Sequence, residues 1–137
     1  MWYMWRIRKP IFNLLDAKDS TGNSNTVDVK NFRNAVLSIG TANSGNLTVK
    51  VQWALAKDDS DIDFTSAQGA TNQWDYIEIV DLQNGTAIDW DTWFSVSGTD
   101  DTRIFELNIN GLDYISLDVT DYTAWDVTAN LVLYTDE

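Results

Sequence analysis

The chain has 137 residues, a formal net charge of −12, and neither histidine nor cysteine. This length suits a single two-layer domain, and the missing residue types exclude disulfides, thiolate zinc sites and histidine-based catalysis. Residues 1–57 carry a net charge of +5 and residues 58–137 carry −17, and such an acidic body stays soluble and repels nucleic acid.

Residues 1–10 are predicted to form a basic and aromatic N-terminal arm that ends at Pro10, the only proline. Its apolar residues precede its charges, which is the reverse of a secretory signal. No run in the sequence approaches the roughly 20 apolar residues of a membrane-spanning helix, so no membrane partner is expected. The arm is a candidate binding segment with aromatic anchors and basic side chains, and a disordered terminus is the alternative. Its candidate partner-binding residues are Trp2, Tyr3, Trp5, Arg6, Arg8 and Lys9.

From residue 11 onward, large apolar residues alternate with small or polar ones, which predicts strands with one buried face and one wet face. The clearest case is residues 47–55, where the odd positions are large and apolar. The predicted strands are residues 11–18, 26–29, 35–41, 47–56, 74–82, 103–110, 114–120 and 127–134, with one or two short strands in 86–96. Eight or nine strands at this spacing indicate an all-β antiparallel sandwich or jelly roll, as a single domain over residues 11–137.

Residues 57–72 form the longest irregular segment, and loops of this length are often functional. Asp59, Asp61 and Asp63 are two residues apart, a spacing that can turn several carboxylates toward one calcium ion. An EF-hand loop counted from Asp59 would need glycine and glutamate where Phe64 and Ala70 stand. A solvated acidic loop is therefore expected, with calcium in another geometry as the alternative.

Seven tryptophans are present. Trp53 and Trp74 follow the strand pattern and are predicted to lie in the core or in an interface. Trp90, Trp93 and Trp125 stand in turn-like contexts where glycine is the expected residue. A single codon change, an alternative reading of a codon, or exposed rings that bind a ligand are the three explanations. Exposed rings would suit a carbohydrate-binding module, because they offer flat platforms to sugar faces.

Catalytic patterns are missing from the sequence. It has no glycine-rich phosphate loop and no nucleophile elbow. A glycosidase would need two carboxyl groups in a defined geometry, and nothing singles out one pair among 21 acidic residues. We therefore expect no catalytic residues, no cofactor and no enzymatic activity.

Four segments carry a family resemblance: NLLDA at residues 13–17, VDVKNFRNAVL at 27–37, NLTVKVQ at 46–52 and VTANLVLY at 127–134. In this order they resemble the small β-sandwich structural proteins of tailed bacteriophages, especially capsid decoration, or cement, proteins. The likeness spans residues 11–137. Trp53 departs from the pattern, because the family typically has glycine after the position of Gln52.

The resemblance implies a jelly roll on the exterior of the capsid, commonly a homotrimer, that stabilises joints between major capsid proteins. It therefore implies a virion protein, made in the host cytoplasm, whose partners are the major capsid protein and copies of itself. Two alternatives stay open, a tail, baseplate or fibre component and a carbohydrate-binding module, because a fold alone does not define a function.

Overall fold

The computed structural model describes residues 10–16, 22–41, 45–55, 64, 74–98, 101–123 and 127–134. They form twelve strands: β1 (Ile11–Asp16), β2 (Gly22–Asn23), β3 (Val27–Asp28), β4 (Asn34–Thr41), β5 (Gly45–Ala54), β6 (Trp74–Tyr76), β7 (Ile79–Asp81), β8 (Thr86–Ile88), β9 (Phe94–Gly98), β10 (Asp101–Asn108), β11 (Tyr114–Thr123) and β12 (Val127–Tyr134). Within these ranges, no helix has the length and apolar character needed to cross a membrane.

The strands pair antiparallel in two sheets that pack face to face. Sheet A has the order β1-β12-β4-β10-β7-β8. Sheet B has the order β2-β11-β5-β6, with β3 also paired to β11 and β9 also paired to β5. With β2 and β3 counted as one strand and β6 to β8 set aside, eight strands remain. In chain order they lie 1-8-3-6 in sheet A and 2-7-4-5 in sheet B, which is the jelly-roll arrangement. The predicted antiparallel sandwich or jelly roll is confirmed.

The number of strands is higher than the eight or nine predicted. Strand β2 lies between the predicted strands 11–18 and 26–29. Directly after it, Ser24 Oγ accepts a hydrogen bond from the backbone N–H of Leu117 at 2.8 Å. The predicted strand 74–82 is divided, because the chain leaves sheet B after β6 and enters sheet A at β7. Residues 86–96 contain β8 and the greater part of β9.

The core lies between the two sheets and is built from the apolar residues of each alternating pattern. The buried residues of each strand point to the inner face of their sheet, whereas their neighbours along the chain point to the outer face. Each of the following is at most 2% exposed: Ala35, Leu37, Ile39, Leu47, Val49, Val51, Phe105, Leu107, Ile109, Ile115, Leu117, Val119, Val127, Ala129, Leu131 and Leu133. In β1 a bulge between Asn13 and Leu15 allows the adjacent Leu14 and Leu15 both to be buried.

Residues with positive φ values stand at turns where the chain reverses direction. Gly85 and Gly111 have φ values of 68° and 89°, in the left-handed region that glycine adopts without steric cost. Both follow an asparagine, and an Asn-Gly pair is a typical sequence of such turns. Asn31 also has a positive φ of 74°, in the turn that follows β3. Its neighbour Lys30 donates its backbone N–H to Asp28 Oδ1 at 2.9 Å, which closes that turn.

Candidate functional site

The outer face of sheet B is partly covered by the chain itself. Alternation in β5 predicts that Lys50, Gln52 and Ala54 face water, but all three are buried. The prediction of a wet face is therefore wrong for this half of the strand. Both faces of β5 are buried here, because Phe64 and the side chains of β6, which pairs with this half of β5, pack on the outer face.

Aromatic side chains provide this cover. Phe64 and Trp74 pack edge to face with ring centroids 5.9 Å apart, and Trp74 and Tyr76 do so at 5.3 Å. Such pairs contribute about 0.5–1.5 kcal/mol beyond the burial of their area. Trp93 continues the row, with its centroid 6.3 Å from that of Tyr76. We call Phe64, Trp74, Tyr76 and Trp93 the aromatic cluster.

Lys50 is the cation of this cluster. Its Nζ lies 4.5 Å from the ring centroid of Tyr76 and 4.7 Å from that of Trp93. The same Nζ donates a hydrogen bond to Asp91 Oδ1 at 2.7 Å. The side chain of Lys50 is 8% exposed, whereas that of Asp91 is 60% exposed. Two ring faces and a carboxylate thus replace the water that the buried ammonium group has lost.

Tyr76 links the cluster to β11. Its hydroxyl donates a hydrogen bond to Asp118 Oδ2 at 2.8 Å, and its carbonyl accepts one from Trp53 Nε1 at 2.9 Å. Burial, the bond to Asp118 and the negative charges of Asp118 and Asp91 raise the pKa of Tyr76 well above its ordinary value of 10.0. Tyr76 therefore stays neutral over the physiological range, as a hydrogen-bond donor and not as a base.

The contacts of the aromatic cluster have a structural role. Lys50 is held by an ion pair and two rings, and the phenol of Tyr76 is held protonated, so neither side chain offers a free nucleophile or base. These contacts fasten β5 to the segment between β8 and β9 that carries Asp91, and they fasten β11 to β6.

A second polar network stands at the β7–β8 turn. Asp81 is buried, forms an ion pair with Arg103, and accepts hydrogen bonds from the backbone N–H of Gln83 at 3.0 Å and from Asn84 Nδ2 at 3.0 Å. Burial alone would raise the pKa of Asp81, but these donors and the Arg103 guanidinium outweigh it and lower that pKa. The network fixes a tight turn at the edge of sheet A.

One open groove of about 410 Å³ lies between two turns at one end of the sandwich. Its walls are residues 30–33 and 110–113. Two basic residues, Lys30 and Arg33, line it. Lys30 is engaged, because its Nζ lies 4.7 Å from the centroid of Tyr114 and 3.9 Å from Asp28 Oδ2. The groove therefore lacks a free cation at Lys30 to attract an anion.

The outer face of sheet A differs from that of sheet B, since its centre is not covered by aromatic side chains. The strand registers place one row across it: Ile11, Val132, Val36, Glu106, Val80 and Ala87. The next row contains Asn13, Asn130, Ser38 and Ile104. Glu106 is the one charged side chain in these two rows, and the backbone of Asp16 pairs with Thr128 at a corner. Beyond the end of the rows, the exposed Glu78 directly precedes β7 and has the same outward parity as Val80. We call this surface the sheet A face.

The predicted binding residues of the arm, Trp2, Tyr3, Trp5, Arg6, Arg8 and Lys9, lie outside the described residues, as do Trp125 and the calcium candidates Asp59, Asp61 and Asp63. In the part of the chain that the structure describes, no group of three acidic residues could hold a metal ion. Trp74 is 5% exposed and Trp53 packs partly buried against the core, as predicted. Trp90 and Trp93 are 49% and 38% exposed, but one ring face of Trp93 already contacts Lys50.

The sequence reasoning missed Lys50, Tyr76, Asp91 and Asp118 as one cluster. One signal for it was present: Trp74 and Tyr76 stand two residues apart and therefore share a face of their strand. Two large aromatic residues on the face that should be wet indicate a covered surface. The ion pair was not predictable, because it joins residues 50 and 91 through a long connection.

Comparison with known proteins gives one full-length structural similarity. No protein-family model matches this sequence, and no curated protein matches it significantly. The chain is similar to the SPBc2 prophage-derived protein YomS, known from its crystal structure, with a TM-score of 0.68 and 16% sequence identity. The match covers 98% of this chain and 100% of that one. The two proteins share a fold.

Proposed function

We propose that this chain is a structural protein of a phage virion, and specifically a decoration protein that binds the major capsid protein on the outside of the shell. The observation that carries the proposal is the similarity in fold to a prophage-derived protein over almost the whole of both chains. A fold alone does not define a function, so the physical properties of the surface must supply the remaining support.

Rigidity is the first of these properties. A jelly roll with a continuous core and a fastened outer connection is a stiff unit, which suits a protein that braces a shell under load. The candidate reactive groups Lys50 and Tyr76 are engaged in holding that connection. This favours a role in assembly over a role in catalysis.

Charge distribution is the second. Arg6, Arg8 and Lys9 concentrate positive charge before the first strand, whereas residues 58–137 carry a net −17. A basic and aromatic arm can anchor in pockets of an acidic partner surface. An acidic body that faces outward would keep decorated particles from adhering to one another.

Localisation in the virion tests the proposal directly. Cryo-electron microscopy of particles from the phage or prophage that encodes the chain should show the jelly roll on the capsid exterior, with residues 1–10 following the shell. Density at the tail, baseplate or fibre would replace the decoration role with a tail role. Absence of the protein from purified particles would overturn a virion role, and glycan-array binding through Trp90 would then favour a carbohydrate-binding module.

Binding to shells tests the mechanism. The purified chain should co-sediment with expanded shells of the major capsid protein and not with unexpanded ones. Replacing Arg6, Arg8 and Lys9 by glutamine should abolish this binding without changing the circular dichroism spectrum. Arg33→Gln, which removes a basic charge elsewhere, is the control and should bind normally. Equal binding by the triple variant would contradict the role of the arm.

A further inference from the structure

We infer that the sheet A face is the surface through which two copies of this chain pack against each other around a two-fold axis. This goes beyond the proposed virion role, because it concerns the isolated protein. The first argument is electrostatic. Each copy carries a formal charge of −12, so most contacts between copies bring acidic residues together. The sheet A face is the exception, since Glu106 is the single charge in its two central rows.

The polar groups of this face fit a copy of themselves. Asn13, Asn130 and Ser38 bear amide or hydroxyl groups, each of which is both a donor and an acceptor. Asn13 Nδ2 already donates to Asn130 Oδ1 at 3.1 Å within one copy. A two-fold interface places the same surface on both sides, and it therefore needs groups that can pair with their own kind. Amides and hydroxyls meet that condition, whereas charged groups of one sign do not.

The position of Glu106 agrees with this arrangement. Sheet A has six strands, and among its four longer ones, β1, β12, β4 and β10, the central pair is β12 and β4. Strands are about 4.8 Å apart, so an axis between β12 and β4 would place the two β10 strands, and hence the two Glu106 residues, about 14 Å apart. At that separation two exposed charges are largely screened at physiological ionic strength. The apolar residues Val36 and Val132 flank the axis.

The area of the face is adequate for a pair. Its long strands β4, β10 and β12 have eight residues each, which gives a length of about 26 Å. Four strands span about 19 Å, and the short strands β7 and β8 widen the face at one side. The resulting area of about 600 Å², before side-chain relief is counted, approaches the roughly 800 Å² that each partner contributes to a standard interface.

The mass of the assembly decides between this pair and the homotrimer that the family resemblance implies. Sedimentation equilibrium of the full chain should give twice the monomer mass of 15.5 kDa. Added salt should tighten the dimer, because it screens the repulsion between two acidic bodies. A monomer at every concentration, or a trimer, would overturn the inference, since face-to-face packing uses the surface in pairs. Neither result would bear on the location of the protein in the virion.

Two matched substitutions locate the interface. Ile104 on the sheet A face is 37% exposed, and Leu55 at the end of β5 is 44% exposed. Ile104→Glu should weaken dimerisation about 100-fold, because it brings like charges into the contact. Leu55→Glu adds the same charge outside this face and should leave the dissociation constant within about threefold. Equal effects of the two variants would overturn the assignment of the interface.

Removing the charge of Glu106 is an independent test, because any change in the dissociation constant should be opposite to that of Ile104→Glu. Glu106→Gln retains the size of the side chain and removes the repulsion across the axis. It should leave the dissociation constant unchanged or tighten the dimer by no more than about twofold, because charges about 14 Å apart are largely screened. A weaker dimer would show that Glu106 pairs with a positive group of the second copy, which would overturn the two-fold arrangement. Circular dichroism of all three variants verifies that they are folded.

Discussion

The outer face of sheet B is covered by aromatic residues of its own chain, whereas the outer face of sheet A is open at its centre, where its two central rows contain one charge, Glu106. On sheet B, Lys50 and Gln52 are buried beside Tyr76 of the neighbouring strand β6, and Trp93 also contacts Lys50. On sheet A, the equivalent outward positions of β10 are exposed, including Ile104 and Glu106. The two faces have similar strand patterns and different surroundings.

This difference shows what an alternating pattern can specify. Alternation identifies the side of a strand that faces the core between the sheets. It does not specify what the other side meets, because that depends on where a distant part of the chain returns. On sheet B the other side meets the connection between β5 and β9, and its polar residues contribute to stability. On sheet A we expect it to contribute to association.

The largest expected effect is the loss of stability when an aromatic residue on the outer face of sheet B is truncated. Trp74→Ala removes a ring that is 5% exposed and contacts both Phe64 and Tyr76. It should lower the free energy of unfolding by about 3–5 kcal/mol, as for other large aromatic truncations in cores. Urea unfolding of the dilute protein, followed by circular dichroism, measures this loss.

Ile104→Ala is the comparison on the sheet A face. It should lower the free energy of unfolding by only about 1 kcal/mol, because Ile104 is 37% exposed and lies outside the core. Similar losses for the two variants would show that the faces do not differ as the structure describes.

The next effect tests the cation of the aromatic cluster. Lys50→Ala removes the contacts of Nζ with two rings and with Asp91, and it should cost about 2 kcal/mol. Lys50→Met retains most of the aliphatic stem, so it should cost about 1 kcal/mol. Thermal and urea unfolding of the three proteins separate the contribution of the charge from that of the stem.

Lys30 is the matched control for this substitution. It also lies over a tyrosine ring, at 4.7 Å from Tyr114, but its side chain is 35% exposed. Because solvent screens its ion pair and its cation–π contact, Lys30→Ala should cost no more than about 1 kcal/mol. If both lysines cost the same, burial is not what strengthens the contacts of Lys50.

The core of this protein was predictable from sequence because it depends on a period of two. Leu37, Leu117 and Leu131 are buried as their alternation predicts, since a strand that packs on one side must repeat apolar residues at every second position. The Asn-Gly turns were predictable for a similarly local reason, the positive φ of Gly85 and Gly111. Both features depend on neighbours in the sequence.

The division of residues 74–82 was not predicted, although the sequence contains a trace of it. Trp74 and Tyr76 stand at even positions, and the buried Ile79 and Asp81 stand at odd positions. The parity changes where the chain passes from sheet B to sheet A. The site itself required the tertiary structure, because the contact between Lys50 and Asp91 closes a loop whose path the sequence does not encode locally.

The smallest effect concerns the phenol that joins the cluster to β11. Tyr76→Phe removes the hydrogen bond to Asp118 and should cost about 1 kcal/mol at neutral pH. The pKa of Tyr76 is raised in the folded protein, so below about pH 10 the phenol is protonated in both states and the bond contributes fully. Above that pH the unfolded chain releases the proton while the folded chain retains it. The wild-type protein should therefore lose stability as the pH rises through this range.

The test compares the wild-type protein with Tyr76→Phe, because all other tyrosines and lysines titrate in both proteins and cancel in the difference. The wild-type advantage over Tyr76→Phe should be constant from about pH 7 to pH 9 and should shrink above about pH 10. Urea unfolding at a series of pH values measures this advantage. An advantage that grows with pH would mean that the folded protein favours the phenolate. Asp118 would then not be the acceptor that holds the connection to β11, and the cover of sheet B would depend on the packing of its rings alone.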